Sequence, residues 1–313
     1  MPKVSVIVPV YGVEKYIERC ARSLFEQTLD DIEYLFIDDC TPDRSIEILQ
    51  QVLEKYPQRK PQVVIHRMEK NSGQAAVRKW GMQNVTGEYV IHCDSDDWVD
   101  TDMHRAMYEK AKVDGADVVV CDFKVTDGER FVINSGICHE ATFLSDMMYS
   151  KYTWALWNKL IKRSLHKEIE YPSENVGEDM AMVIQMVIKA RKISCVKGTY
   201  YYYYYNPMSV MNRQDKDSLL CKYRQMNSNI NYVEEALRNS GLIKTYTKEL
   251  NAIKFYGQTL LIPVLDEQLL NEWEKRNNFS YISILVNPKV KIRYKMRYVL
   301  YKTKLYNLVM RMR

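Results

Sequence analysis

No stretch of this chain stays apolar for eighteen residues, so a membrane-spanning helix is excluded. Met1-Pro2-Lys3 leads straight into Val4-Ser5-Val6-Ile7-Val8. No basic segment, apolar core and cleavage site follow one another there, so no secretory signal peptide is expected. The seven cysteines (Cys20, Cys40, Cys93, Cys121, Cys138, Cys195 and Cys221) stand singly, with no Cys-x-x-Cys. That pattern argues against a disulfide framework or a zinc site and fits a reducing, cytoplasmic setting. Glycine is also sparse where a dinucleotide fold would need it. The loop after the first strand-like run, Tyr11-Gly12-Val13-Glu14-Lys15, holds one glycine. A Gly-x-Gly-x-x-Gly dehydrogenase is thereby excluded. The same loop counts against a nucleotidyltransferase, which would carry a Gly-rich, basic phosphate loop there.

What is present is a globular composition, 46% hydrophobic and 27% charged over 313 residues. It suffices for one sizeable α/β domain and a smaller appendage. Over the first two thirds, strand-like and helix-like patterns alternate. Strands are expected at 3–10, 33–37, 62–66, 88–93 and 117–121. Helices are expected between them, the first carrying Val13, Tyr16, Ile17, Cys20, Ala21, Leu24 and Phe25 on one face. Thr41-Pro42-Asp43 reads as a helix start: a hydroxyl cap, a proline that needs no amide, and an acid in the first turn. Such alternation predicts a mostly parallel sheet flanked by helices, with ligands beyond the carboxyl ends of the strands. Beyond about residue 210 the pattern is helical, with helices expected at 217–238, 245–262 and 267–276. The expected division is therefore 1–212 for the binding and catalytic domain and 213–313 for a helical region.

The net charge of +5 is uneven. Between Asn287 and Arg313 stand nine Lys or Arg and no acid, leaving the rest of the chain mildly acidic. This basic tail, interleaved with Tyr, Leu, Val and Met, points to an anionic membrane surface as a partner through residues 287–313. An ordinary helix with a solvated basic face is the plain alternative.

The fourth strand ends in Asp94-Ser95-Asp96-Asp97. Three carboxylates in four residues repel one another unless a positive group sits among them. Hard divalent cations take oxygen ligands, and Mg²⁺ is commonly held by one or two carboxylates plus substrate phosphates. A metal–diphosphate therefore suits this position, against the simpler reading of a solvated acidic turn.

Four ordered blocks resemble glycosyltransferase family 2, enzymes of the Rossmann-like GT-A fold. They are Val4–Tyr11 with Glu14; Phe36–Asp43; Asn71–Arg78 running on to Thr86-Gly87-Glu88-Tyr89; and Asp94–Asp97. Trp157-Asn158-Lys159-Leu160 and Gly177-Glu178-Asp179 extend the likeness, which covers residues 3–205. The resemblance implies an inverting transfer of a sugar from a nucleoside-diphosphate donor, UDP first, to a hydroxyl of a glycan or lipid-linked acceptor in surface polysaccharide synthesis. It implies Mn²⁺ or Mg²⁺ as cofactor and no nucleic acid as partner. Pro9, Val10 and Tyr11 would form the lip around the nucleobase. Asp38, or failing it Asp39, would read the base, and Glu14, Asn71, Gly73 and Arg78 would line the nucleotide. Asp94 would face the ribose or the metal and Asp96 would bind the metal. Asp179 would be the catalytic base. Trp157, Asn158, Lys159 and Glu178 would touch the acceptor, with Ser209 and Arg213 near the diphosphate. Two departures stand out: Cys40-Thr41 where the family often has Gly-Ser, and Lys79 where it often has Asn. A nucleotidyltransferase and a non-catalytic sugar-nucleotide binder remain the alternative readings.

The six tyrosines Tyr200–Tyr205 would as a strand send three rings to each face, for packing or as a sugar platform. Trp154 has the same two readings, while His66, His92 and His139 read as structural.

Overall fold

The computed structural model describes residues 1–134, 139–206, 215–264 and 279–303. Ser209, Arg213, the boundary at 212, the helix at 267–276 and the tail beyond 303 lie outside the described residues. Two compact units emerge. The first comprises Met1–Ala141, Ala155–Asn175 and Lys189–Pro207, and the second Thr142–Trp154, Val176–Ile188 and Met208–Arg313. Two segments from within the first 212 residues thus group with the C-terminal helices, which a single cut cannot reproduce.

In the first unit β1 (Val4–Val10), β2 (Ile32–Asp38), β3 (Val63–Arg67) and β4 (Tyr89–His92) pair in parallel, in the order β3-β2-β1-β4. Strand β1 is buried almost throughout, as expected of a central strand covered on both faces. The helices α1 (Ile17–Phe25), α2 (Ser45–Glu54) and α3 (Gln74–Asn84) connect these strands. Helix α1 buries Ile17, Cys20, Ala21, Leu24 and Phe25, the apolar face expected from its spacing. Each of the larger side chains contributes about 1.5–3 kcal/mol by burial.

Beyond β4 the sheet becomes mixed. β5 (Trp98–Val99), α4 (Met103–Asp114), β6 (Val118–Thr126) and β7 (Phe131–Asn134) follow along the chain. Strand β8 (Lys159–Lys162) inserts antiparallel between β4 and β6, and β9 (Ile193–Tyr204) lies parallel to β6. Among the described residues the sheet has nine strands.

Close backbone packing explains Thr86-Gly87. A Cβ on Gly87 would lie 2.6 Å from Ser5 Oγ and 2.8 Å from Ser5 N. Ser5 Oγ instead accepts the Gly87 amide and donates to Glu33, whose carboxylate also accepts the Thr86 amide and hydroxyl. A three-strand junction is thereby locked at the amino end of the sheet.

The second unit holds α5 (Phe143–Met148), α7 (Glu178–Lys189, up to Ile188), α8 (Lys216–Asn239), α9 (Thr247–Gln258), α10 (Tyr281–Val286) and α11 (Ile292–Lys302). The short α6 (Arg163–His166) belongs to the first unit. Asp215 caps α8 by accepting the Ser218 amide. Residues Tyr149, Phe255, Tyr256, Phe279, Ile284 and Tyr298 form this unit's aromatic core. None of the helices among the described residues is long and apolar enough to cross a membrane.

Five cysteines (Cys20, Cys40, Cys93, Cys121 and Cys221) are free thiols. Cys195 on β9 is disulfide-bonded, so one of the singly standing cysteines is not a free thiol.

Candidate active site

The carboxyl ends of β1, β2 and β4 carry the predicted residues. Tyr11 stands at the end of β1 with half of its surface exposed, available to a flat ring. The Val10 side chain is fully buried, so only its backbone reaches the lip, where its carbonyl accepts the Asp39 amide at 3.0 Å. Pro9 is half-buried, and Glu14 and Asn71 are exposed on loops.

Thr41, Asp43 and Ser45 do more than start a helix, at whose head Asp43 Oδ1 accepts the Ser45 amide at 3.1 Å. Their side chains hold the lip from below. Gly12 N donates to Thr41 Oγ1 at 2.9 Å, Val13 N to Ser45 Oγ at 3.1 Å, and Glu14 N to Asp43 Oδ2 at 3.0 Å. Helix α2 starts at Ser45 without a side-chain cap. Burial works to raise the Asp43 pKa, but hydrogen bonds from Ser45, Thr41 and the Glu14 and Ser45 amides outweigh it and hold the carboxyl below its ordinary value.

Asp38 and Asp39 are both buried at the end of β2. Both oxygens of Asp39 accept amides of the third block, Ser72 N at 2.7 Å and Gly73 N at 2.8 Å. Asp38 Oδ1 accepts the Thr41 amide at 2.7 Å, while Oδ2 has a long ion pair of 3.4 Å with the exposed Arg67. Gly73 is needed here. Its φ is +82°, and a Cβ would sit 2.4 Å from the Asn175 side chain, which accepts the Ala75 amide at the start of α3.

Helix α3 joins the two acidic centres. Its leading turn sits on Asp39, and Arg78 on the same helix donates to Asp94 Oδ1 at 3.0 Å. Gln74 adds a weaker bond of 3.4 Å to the same oxygen. Arg78 is buried, so in this structure it serves first as the counter-charge of Asp94.

The three aspartates after β4 part company. Asp97 turns inward, fully buried, and accepts Tyr201 Oη at 2.7 Å and the Tyr204 amide at 2.6 Å. Burial, then Asp96 and Asp94, push its pKa well up. Asp96 keeps a half-buried carboxylate that accepts Asn206 Nδ2 at 3.3 Å. Burial, and next the nearby Asp94, raise its pKa to about 6. A raised carboxyl beside a second carboxylate is where a cation is most strongly favoured. No cluster of three or more protein ligands occurs among the described residues. Asp94 and Asp96 therefore fit a divalent ion of the kind whose remaining positions are filled by phosphate oxygens and water.

Sequence reasoning missed the support behind Asp96. Arg19 on α1 donates to the Asp96 carbonyl at 2.9 Å, with its guanidinium 3.7 Å over the Trp98 ring and 5.1 Å from that of Tyr204. Its Nε has no hydrogen-bond partner among the described residues. Burial lowers the Arg19 pKa, against the pull of Asp97. The arginine pins the loop between two carboxylates. Arg19→Ala is expected to weaken cation-dependent nucleotide binding about ten-fold, since it removes a charge-assisted bond. Arg19→Lys should recover part of it. An Arg19→Ala titration matching wild type, with circular dichroism unchanged, would show that the loop holds itself.

Tyr201 stacks on Trp157 at 4.3 Å and also receives the Asp94 amide at 3.1 Å, while Tyr202 stacks on Trp98. The tyrosine run thus packs on both faces of β9. Trp157, Asn158 and Lys159 are buried, Asn158 donating to the Cys121 carbonyl and Lys159 to the Ala155 carbonyl. Buried in this way, their side chains offer little surface to solvent. Half-buried Trp154, in the second unit, donates to the Met147 carbonyl. His66 stacks on Trp80 at 3.7 Å, as a packed residue should.

In the second unit Glu178 and Asp179 open α7. Every residue from Glu178 to Val187 is buried except Asp179. That carboxylate is the one partly exposed group in the stretch from Glu178 to Val187, at the end where the helix dipole favours an anion.

A four-stranded parallel half joined to a mixed half, with helices on its flanks, is similar to the fold of the GT-A glycosyltransferases. Residues 5–190 match the family model for glycosyl transferase family 2, and the chain belongs to that family. A poly(ribitol-phosphate) β-glucosyltransferase of Bacillus spizizenii is 33% identical over 64% of this chain, which spans 32% of that relative's length. Two solved structures share the fold. TarS of S. aureus (residues 1–349) with UDP-GlcNAc has TM-score 0.60 and 19% identity, covering 96% of this chain and 92% of that one. The mannosyltransferase PcManGT of Pyrobaculum calidifontis, with GDP-Man and Mn²⁺, has TM-score 0.56 and 13% identity, covering 97% and 87%.

Proposed function

We propose that this glycosyltransferase takes a UDP-sugar with a divalent cation and moves the sugar, with inversion, to a hydroxyl of a surface glycan or lipid-linked acceptor. The observation that carries the reading is the pair Asp94–Asp96 at the end of β4, one braced by Arg78 and the other raised in pKa. The donor named in the TarS complex and the acceptor polymer in the name of the Bacillus spizizenii relative support the substrate classes.

In this reading Tyr11 covers the base, and Pro9 and the Val10 backbone shape the lip. Asp38 accepts the uracil imide N–H, because Asp39 already spends both oxygens on amides. Glu14, Asn71 and Gly73 bound the nucleotide, and Asp94 and Asp96 hold Mn²⁺ or Mg²⁺. The cation, when bound, stabilises negative charge on the leaving diphosphate. Asp179 takes the acceptor hydroxyl proton as the bond from the anomeric carbon to the diphosphate breaks. Buried Glu178 helps to orient the start of α7, and Trp157, Asn158 and Lys159 shape the acceptor side from within.

Calorimetry of UDP, GDP and dTDP with and without Mn²⁺ tests the donor side. UDP is expected to bind at least ten-fold tighter with the cation, and tighter than GDP; dTDP, whose thymine keeps the same imide N–H, tests only the 5-methyl group and the 2′-hydroxyl. GDP as the preferred ligand would overturn the base assignment, and cation-independent binding would overturn the metal. Turnover of the donor with an acceptor distinguishes a transferase from a mere binder.

A further inference from the structure

The last described helix of the second unit has an apolar outward face. Helix α11 packs inward through Tyr294, tilted against Tyr256 at 4.4 Å, and Tyr298, stacked on Tyr281 at 4.8 Å. Its outward side carries Ile292, Met296 and Val299, exposed by 68%, 54% and 45%. Their spacing places them within a stripe of about 60° on the helical wheel. Arg293 and Arg297 fall on one flank of that stripe and Lys295 and Lys302 on the other, by the same geometry. Helix α10 repeats the pattern with exposed Ile282 and Val286. Twelve large hydrophobics are exposed among the described residues, and five lie between Ile282 and Val299. An exposed helix face normally collects charge, so this concentration calls for a covering partner.

We propose that this ridge seats on an anionic lipid surface, with Ile292, Met296 and Val299 entering the acyl boundary and the flanking cations meeting headgroups. Charge complementarity selects this occupant. Asn287 to Thr303 contains six Lys or Arg and no acid, so a neutral or basic partner would leave the flanks unpaired and a second copy of the ridge would face like charge. The inference stands apart from the donor-site reading, because it uses none of that site's residues.

Flotation of the full chain with phosphatidylcholine vesicles, with and without phosphatidylglycerol, tests it. Binding is expected only with the anionic lipid and should weaken as salt rises. Ile292→Asp with Met296→Asp should lower partition about ten-fold or more, and Arg293→Glu with Arg297→Glu should weaken both the binding to anionic vesicles and its salt dependence. These positions are exposed, so the variants should keep the wild-type thermal transition. As a second readout, Met296→Trp should shift its emission to the blue on vesicle addition and be quenched by brominated lipid. Equal flotation of wild type and the Asp variants overturns the proposal. So does absence of vesicle binding together with a dimer that Met296→Asp dissolves, because the ridge would then be a contact between copies.

Discussion

Asp96→Asn is expected to abolish the Mn²⁺-dependent part of nucleotide binding and, at the same time, to raise the melting temperature of the metal-free protein. The two effects have one cause. Burial first, and Asp94 second, lift the Asp96 carboxyl to about 6. The folded protein then holds that proton more tightly than the unfolded chain, whose carboxyl titrates near its ordinary value. Stability from this group is full below about pH 4 and is lost as pH rises through 6. At pH 7 the ionised group costs on the order of 1–3 kcal/mol, which an amide does not. A bound cation removes the same cost, and that is the source of affinity the amide forfeits. Wild-type Mn²⁺ affinity should fall about ten-fold per unit below pH 6, where the proton competes with the metal. Differential scanning fluorimetry across pH 5–8, paired with calorimetry, separates the outcomes. A variant that loses cation dependence yet melts lower has been damaged in packing. A variant that still binds with Mn²⁺ shows that Asp94 alone suffices.

Much of this site could be read in the order of residues, and what could not be read shares a physical reason. Buried parallel strands declare themselves as β-branched runs, and β1 to β4 lie where those runs predicted. The paired aspartates sit at a strand end as expected. The sequence reading carries β6 to Cys121, whereas the strand continues to Thr126, because its outer half pairs with the tyrosines of β9 in a register no local pattern encodes. Antiparallel β8 between β4 and β6 was equally hidden, since its residues read as an acceptor block. Capping chemistry misled in another way. Thr41, Asp43 and Ser45 have the side chains that satisfy open amides, and sequence spacing assigns Thr41 and Asp43 to the nearest helix. Asp43 does accept the Ser45 amide at the head of α2, but the three side chains also serve the amides of Gly12, Val13 and Glu14, about thirty residues away. Arg19 and Asn175 gave no signal, because their value lies wholly in long-range contacts with the Asp96 carbonyl and the start of α3.

Asp179→Asn should separate chemistry from binding. The side chain differs by one isosteric group, keeps hydrogen-bonding capacity, and sits partly exposed in the first turn of α7. Its replacement should therefore cost the fold no more than the dipole contribution of about 0.3–1 kcal/mol. An amide cannot take a proton from a hydroxyl. Loss of a positioned base lowers kcat by about 10²–10⁴-fold, which corresponds to roughly 3–5 kcal/mol of barrier. Calorimetric UDP affinity should stay within about two-fold of wild type, because a base for the acceptor contributes nothing to holding the nucleotide. The neighbouring Glu178→Gln is the contrasting control. Glu178 is 4% exposed, so its replacement should act on stability before rate. The decisive comparison is acceptor-dependent turnover at saturating donor for the two variants. Wild-type kcat in Asp179→Asn would remove this residue from the reaction. Equal losses of kcat and UDP affinity would make it part of the donor site instead. A collapse of kcat with donor binding intact would leave proton removal from the acceptor as the step that Asp179 performs.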